Sequence, residues 1–541
     1  MKIHELPRPD FAKKSFLIVE DYEGMRSILR DILSRAGTTR MDFAASGGSA
    51  LLLLEKNRYD AVLCDLHLGQ GKNGQQVLEE ARLRHWIAPH AVWLMISAEK
   101  SSEMVMGSVE TRPDDYLVKP ITETLLFTRL QRQMEKKKAL APIEQAMRDH
   151  EYLKAMRLVD QQLAEPTSHT WDLKRLKSEL ALLSGKPEQA RAVFEEALGQ
   201  RDLPWARVGL ARILYQEGHL EEARQHLQQV AGSSRSYLDA HDWLARTQEN
   251  LGDLDAAQAT LGRALSVSPH VATRQSSLGQ VAARRGDLDT AARAYSCGIE
   301  LARSSPMASV ESYLSLARVF LSRGECGEAA KVVGRLANDL KHDADAQFLA
   351  RVMEIPIRLQ SGDEKAARRL LAELAPGLCE AAHRLPPELA FDLAGPLLRL
   401  GDRETIDVLF SSLLANHHEH PDYANRVRAL YAEAGRGEEG EKLVEAATHA
   451  ALEIMDQGVR LSREGKLDEA LALLREARRK IPGNPRLLLN HAFLLISQME
   501  KHGRDLILAD EALDCIQTAR RLRPHDKRAG ELLARLEQVG A

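Results

Sequence analysis

At 541 residues the chain is longer than a single hydrophobic core supports, so several domains or a repeat array are expected. Its 74 Lys+Arg against 78 Asp+Glu leave a net charge of −4. Neither residues 1–140 (21 basic, 19 acidic) nor the remainder (53 and 59) carry the basic excess of a nucleic-acid-binding domain. Cys64, Cys297, Cys326, Cys379 and Cys515 lack metal-ligand spacing and read as thiols of a reducing compartment. The first ten residues are polar with two prolines, unlike a signal peptide. No apolar run reaches the roughly 18 residues of a membrane span, and a cytoplasmic protein without membrane insertion is expected.

Residues 1–12 read as a loose tail. From 15 to 138, strand-like apolar runs near 15–20, 41–45, 60–65, 91–97 and 115–118 alternate with helical patterns at 23–36, 47–57, 74–84, 99–110 and 121–138. Such alternation predicts a doubly wound α/β domain, a five-stranded parallel sheet with helices on both faces. Trp93 and Met95 read as packing residues of the fourth strand.

Three of these runs end in polar residues. Phe16-Leu17-Ile18-Val19 runs into Glu20 and Asp21, Leu63-Cys64 into Asp65, and Tyr116-Leu117-Val118 into Lys119-Pro120. Ligands of open parallel sheets bind at that C-terminal edge. Three carboxylates together repel unless a hard divalent cation such as Mg²⁺ joins them. With a cation and Lys119 to neutralise charge, Asp65 becomes a site for accepting phosphate.

These residues resemble the receiver domain of two-component response regulators, over about residues 13–138, which implies a flavodoxin-like fold. The resemblance implies Glu20 and Asp21 as the acidic pair, Asp65 as phosphoacceptor, Ser97 as switch hydroxyl, Tyr116 as switch aromatic and Lys119 as the family's lysine. It also implies a cis peptide before Pro120, which X-Pro bonds tolerate. The metal ligands are then Glu20, Asp21, Asp65 and the backbone carbonyl of His67. Two departures stand out. Glu20 replaces the commoner Asp, and the loop from Leu66 to Gly74 lacks the usual Met-Pro and is about one residue longer.

Residues 139–541 are rich in Ala and Leu and nearly free of strand patterns. A glycine followed five residues later by alanine recurs as Gly185/Ala190, Gly218/Ala223, Gly252/Ala257, Gly286/Ala291, Gly324/Ala329, Gly362/Ala367 and Gly465/Ala470. The first four glycines are spaced by 33, 34 and 34 residues. Glycine ends one helix in a left-handed turn, and alanine lets the next helix approach closely. Small residues recur seven before the glycine (Ala211, Ala245, Gly279, Ala317, Ala394, Gly458), and large ones four after the alanine (Phe194, Leu227, Leu261, Tyr295, Val333, Leu371, Leu474). Pro269, Pro482 and Pro524 fall where second helices should end.

This pattern resembles the tetratricopeptide repeat. About ten units are expected, stacked into an all-α superhelical solenoid with an extended concave surface. The pattern is strong at 171–338 and 450–484, irregular at 345–449, and interrupted by an insertion around 501–505. A divergent first unit should start near 141 with Ala155 in the alanine position. In this repeat family, first-helix positions 2, 5, 9 and 12 usually face the groove. They fall on Trp205, Val208, Arg212 and Tyr215 before Gly218, and on Asp239, Asp242, Arg246 and Glu249 before Gly252. Trp205 and Tyr215 have the alternative of packing between units. His417-His418-Glu419-His420 read as a solvated loop.

The whole reads as a non-enzymatic response regulator of a phosphorelay. A histidine kinase or phosphotransfer protein supplies phosphate, and the repeat array binds a protein or peptide. The alternatives are a phosphate-independent pseudo-receiver that docks partners and, with no DNA-reading motif in view, a transcription regulator.

Overall fold

The computed structural model describes residues 11–539 except 70, 89, 99–112, 150, 165–169, 236, 304–307, 504 and 524–525. The expected helix at 99–110 and Pro524 lie outside the described residues. The apolar runs form β1 (Ser15–Val19), β2 (Arg40–Ala44), β3 (Ala61–Asp65), β4 (Val92–Ser97) and β5 (Asp115–Val118), all parallel, in the order β2-β1-β3-β4-β5. β1, β3 and β4 are buried along their whole length, which is why they read as unbroken apolar runs.

Helices α1 (Glu23–Arg35) and α4 (Glu123–Arg148) cover one face of the sheet through Leu29, Leu33, Leu126 and Leu130. Helices α2 (Gly47–Lys56) and α3 (Gly74–Leu83) cover the other, packing on Trp93 and Met95. Capping boxes start both, Ser46 with Ser49 and Asn73 with Gln76. The chain leaves β1 outward to β2 and returns on the far side to β3, so the strand order reverses between β1 and β3.

The expected boundary at 138/139 falls inside α4. This 26-residue helix contributes Leu126 and Leu130 to the sheet core, and Ile143 and Ala146 to the helical region. Lys137 Nζ joins Asp114 (3.1 Å) to Glu144 (3.3 Å), and the Arg148 guanidinium donates to the Ile87 carbonyl at 3.0 Å. The two regions therefore share a helix and polar contacts.

Helix hairpins follow. α4 pairs with α5 (Tyr152–Leu163), where Ala155 is fully buried. The regular part comprises α6 (Thr170–Leu183), α7 (Pro187–Gln200), α8 (Pro204–Gln216), α9 (Leu220–Ser233), α10 (Leu238–Asn250), α11 (Leu254–Val267), α12 (Ala272–Arg285), α13 (Leu288–Ala302), α14 (Val310–Ser322) and α15 (Cys326–Asp339). Every alanine of the repeating pattern is wholly buried. Gly218, at φ 84°, shows what its position requires, a left-handed turn that reverses the chain between α8 and α9. Small and large positions meet within a hairpin: a Cβ on Gly279 would lie 2.8–2.9 Å from the Tyr295 ring, and one on Gly458 2.9 Å from Leu474.

The irregular stretch is explained by helix length. α16 (Ala344–Gln360) and α17 (Glu364–Ala381) are long, and a 3-10 turn at Ala382–Arg384 absorbs the rest of the enlarged step to Gly401. α18 (Pro387–Leu400), α19 (Arg403–Asn416) and α20 (Pro421–Glu433) lead to α21 (Gly437–Arg463), 27 residues long, which pairs with α20 at one end and α22 (Leu467–Lys480) at the other. The insertion expected at 501–505 is largely taken up by longer helices, α23 (Pro485–His502) and α24 (Leu506–Leu522), before α25 (Lys527–Val539).

The two ends of the array touch. Arg520 on α24 donates to the Leu183 carbonyl at 2.6 Å, and the backbones at Gly185 and Gly530 lie so close that a Cβ on Gly185 would sit 2.0 Å from the Gly530 Cα. Among the described residues, no helix is long and apolar enough to cross a membrane.

Candidate functional site

The C-terminal ends of β1 and β3 deliver Glu20, Asp21 and Asp65 to one place. One carboxylate oxygen from each lies within 4.8 Å of the others. Glu20 and Asp65 are buried and Asp21 is exposed. Arg26, one turn into α1, fixes the acidic turn by donating to the carbonyls of Glu20 (2.6 Å) and Asp21 (2.9 Å). The loop after β3 holds Asp65 from the other side, with the His67 N–H on Asp65 Oδ1 at 3.0 Å. Gly74 lets α3 begin against the strand end; a Cβ there would lie 2.1 Å from the Asp65 carbonyl oxygen.

Lys119, just past β5, reaches across the edge. Its Nζ donates to Asp65 Oδ2 at 2.5 Å and to Glu20 Oε2 at 2.9 Å. The peptide between Lys119 and Pro120 is cis, as the resemblance implies. Burial works against the Lys119 charge, but its bonds to Asp65 and Glu20 outweigh that and raise its pKa. Burial raises the pKa of Glu20; the Lys119 ammonium opposes this and the Asp65 charge adds to it. One lysine does not balance three carboxylates, and the remaining charge together with an all-oxygen donor set suits a hard divalent cation. Burial, followed by the fields of Asp65 and Glu20, pushes the Cys64 thiol well above its ordinary pKa, so this neighbour is inert as a nucleophile.

Ser97 ends β4, buried, with its carbonyl accepting the Lys119 N–H at 2.8 Å. Tyr116 pairs with Met95 in the sheet and is half-buried against the core beneath α2 and α3. Glu20, Asp21, Asp65, Ser97 and Lys119 thus lie along one sheet edge, with Tyr116 two residues back along β5 from Val118. Arg26 and Gly74 were missed; an arginine six residues past a strand end and a helix-starting glycine are too common alone to signal such roles.

In the helical region, the expected groove residues divide. Trp205 packs edge-on against Phe194 at 5.9 Å, and Val208 is buried, so both serve packing between units. Tyr215 meets Trp243 edge-on at 5.5 Å and accepts a 2.5 Å bond from Asn250. Asp242 is held by both ends of the buried Arg274 guanidinium, each at 2.7 Å. The guanidinium carbons of Arg212 and Arg246 lie 5.2 and 4.8 Å from the Trp243 ring centroid. Trp243 itself was missed, being one position from the expected groove register.

A parallel five-stranded sheet with acids at the ends of β1 and β3 and a lysine after β5, followed by stacked helix hairpins, defines a receiver joined to a repeat array. Residues 16–131 match the family described as response regulator receiver domain, and residues 181–246 and 244–306 match families described as tetratricopeptide repeat. Chemotaxis protein CheY-3 of Vibrio cholerae serotype O1 is 31% identical over 120 residues, spanning 22% of this chain and 91% of that protein. Chemotaxis protein CheY of Pseudomonas aeruginosa is 28% identical over 120 residues, 22% of this chain and 95% of that one. Among solved structures, the CheY-like receiver domain protein of Methanospirillum hungatei matches 23% of this chain and 96% of its own, with 25% identity and a TM-score of 0.21. The structure of MamA matches 31% and 96%, with 18% identity and a TM-score of 0.29. The chain belongs, through its N-terminal domain, to the response regulator receiver family, and tetratricopeptide repeats follow that domain.

Proposed function

We propose that this chain is a cytoplasmic phosphorelay response regulator whose output is protein binding rather than catalysis. Residues 13–138 take phosphate on Asp65, and residues 139–541 bind a protein or peptide partner along the array. The observation that carries this reading is the Lys119 ammonium spanning Asp65 and Glu20 inside a three-carboxylate cluster.

An Asp65 carboxylate oxygen attacks the phosphorus of a phosphohistidine on a kinase or phosphotransfer protein. The P–N bond breaks, its electrons leave with the imidazole, and an acyl phosphate forms on Asp65. Lys119 holds a phosphoryl oxygen as charge gathers there, a role its hydrogen bond to Asp65 supports. Glu20, Asp21, Asp65 and the His67 carbonyl would hold Mg²⁺, which supplies charge neutralisation when bound. Ser97 and Tyr116 carry the response, the hydroxyl moving toward the phosphoryl group and the ring turning into the space released. Its strength is limited to the phosphate's differential contacts in the two states, on the order of 1–3 kcal/mol. The shared helix α4 offers a direct mechanical route from the sheet edge to the first hairpin.

Mass spectrometry after incubation with Mg²⁺ and acetyl phosphate tests the reading. One acid-stable, base-labile phosphate is expected on Asp65, absent in Asp65→Ala and greatly reduced in Asp21→Ala. Labelling that persists in Asp65→Ala removes the assignment. Lys119→Ala still accepts phosphate but loses the conformational response.

A further inference from the structure

The charges on α8, α10 and α12 are unequally committed. Asp242 is taken by Arg274, both of whose bonds to it are 2.7 Å. Glu249 accepts from Arg284 at 2.6 Å and from Gln280 at 3.3 Å. The neighbouring Arg191, Arg207 and Arg285 each have a carboxylate partner as well. Arg212 and Arg246 do not: among the described residues neither makes an ion pair, and the Arg212 Nε is buried without an acceptor. Both guanidiniums lie against the one Trp243 ring, with Tyr215 at its edge.

A half-buried guanidinium lacking an anion has lost hydration without regaining a counter-charge, and a second one beside it raises the local potential. An aromatic face offsets only part of that. What completes such a pair is a carboxylate for each planar fork. We infer that the groove between α8 and α10 binds an acidic peptide segment, with Arg212 and Arg246 each receiving a carboxylate and Trp243 holding both guanidiniums in place. This rests on the array being the partner-binding module. A nucleic-acid strand fits less well, because residues 141–541 carry 53 basic against 59 acidic side chains and lack the basic excess that tracks a phosphate backbone.

The test is fluorescence anisotropy on the full chain with three labelled probes: a short Glu-rich peptide with interspersed leucines, the same peptide with Lys in place of Glu, and an oligodeoxythymidine. Only the Glu-rich peptide should bind, more weakly as salt rises. Arg246→Glu changes an exposed side chain and should leave the melting temperature unchanged while weakening binding tenfold or more, about 1.4 kcal/mol. Arg212→Gln should also weaken it. Equal binding by wild type and Arg246→Glu overturns the inference, as does an oligodeoxythymidine that binds and is lost in the same variants. A cellular partner captured by wild type and lost in Arg246→Glu, with no affinity for the Glu-rich peptide, would leave the groove standing and refute the acidic chemistry. If that partner is captured equally by both, the groove reading falls too.

Discussion

The Glu537 carboxylate accepts the backbone N–H groups of Tyr152 and Leu153, at 3.1 and 3.0 Å, so the last helix of the chain caps the N-terminus of α5. Tyr152 packs against both the first and the last hydrophobic cluster of the array. Burial raises the pKa of Glu537, and the two amide bonds oppose that rise. The array is thus closed by specific polar contacts, the Arg520 bond to Leu183 among them. α4, which the receiver shares with the array, packs on α5, the helix that carries this seam.

Glu537→Ala should loosen the closure. Removing a charged acceptor from two helix-terminal amides costs about 1–3 kcal/mol, concentrated at the seam. Amide hydrogen exchange across Tyr152–Val159 should accelerate and the radius of gyration should rise, with helix content unchanged by circular dichroism. Unaltered exchange there would show that the ends are held by other contacts.

Ser97→Ala should separate phosphorylation from response. Ser97 lies at the strand end beside Lys119, whereas Asp65 is positioned by the His67 amide and Lys119. The variant should take phosphate from acetyl phosphate as wild type does, while any phosphate-dependent change in partner affinity shrinks severalfold. Calorimetry with and without phosphorylation measures the coupling. Equal coupling in both proteins would exclude this hydroxyl as the relay.

The receiver edge was legible because each functional residue ends an apolar run, so Glu20, Asp21, Asp65 and Lys119 are placed by strand register alone. The hairpins were legible because a turn glycine and a close-packed alanine recur at one spacing. The seam was not, since it depends on small rotations summed over many units and leaves only an isolated glycine, Gly530, in α25. The commitment of Asp242 to Arg274 was equally hidden: 32 residues separate them, and alternating charges on α10 do not show which are already paired. The breadth of α21 was obscured because Gly440 occupies an alanine position, where the Tyr431 side chain fills the space a Cβ would take.

Gly279 and Tyr295 test the packing rule inside a hairpin. Alanine is the better helix former by about 1 kcal/mol, but its Cβ would meet the Tyr295 ring at 2.8–2.9 Å. Overpacking of this kind costs about 1–3 kcal/mol, so Gly279→Ala should lower stability to chemical denaturation. The double variant Gly279→Ala/Tyr295→Leu reproduces the Ala and Leu found at the matching positions 211 and 227, and should recover part of the loss. A stabilised single variant would show that the ring yields freely.

His491 makes the last hairpin sensitive to acid. Its side chain is fully buried on α23, with Nε2 3.3 Å from Glu511 and Nδ1 3.7 Å from the Cys515 sulfur. Burial lowers its pKa to about 4, opposed by the Glu511 carboxylate and assisted by Arg478 and Arg475. Glu511 is itself lowered, first by its hydrogen bond from Arg475. Between pH about 4 and the ordinary imidazole value of 6.5, the unfolded chain binds a proton at His491 that the folded chain does not. The resulting stabilisation is complete above the unfolded value and is lost as pH falls through that window, amounting to about 3 kcal/mol at most. Below it, protonation of Glu511 acts in the same direction. Denaturant titrations at pH 7 and pH 5, followed by hydrogen exchange in α23 and α24, should show this region weakening at the lower pH. His491→Gln should flatten the dependence at some cost in stability at neutral pH. If wild type and His491→Gln lose stability in parallel between pH 7 and pH 5, the acid sensitivity resides in another group.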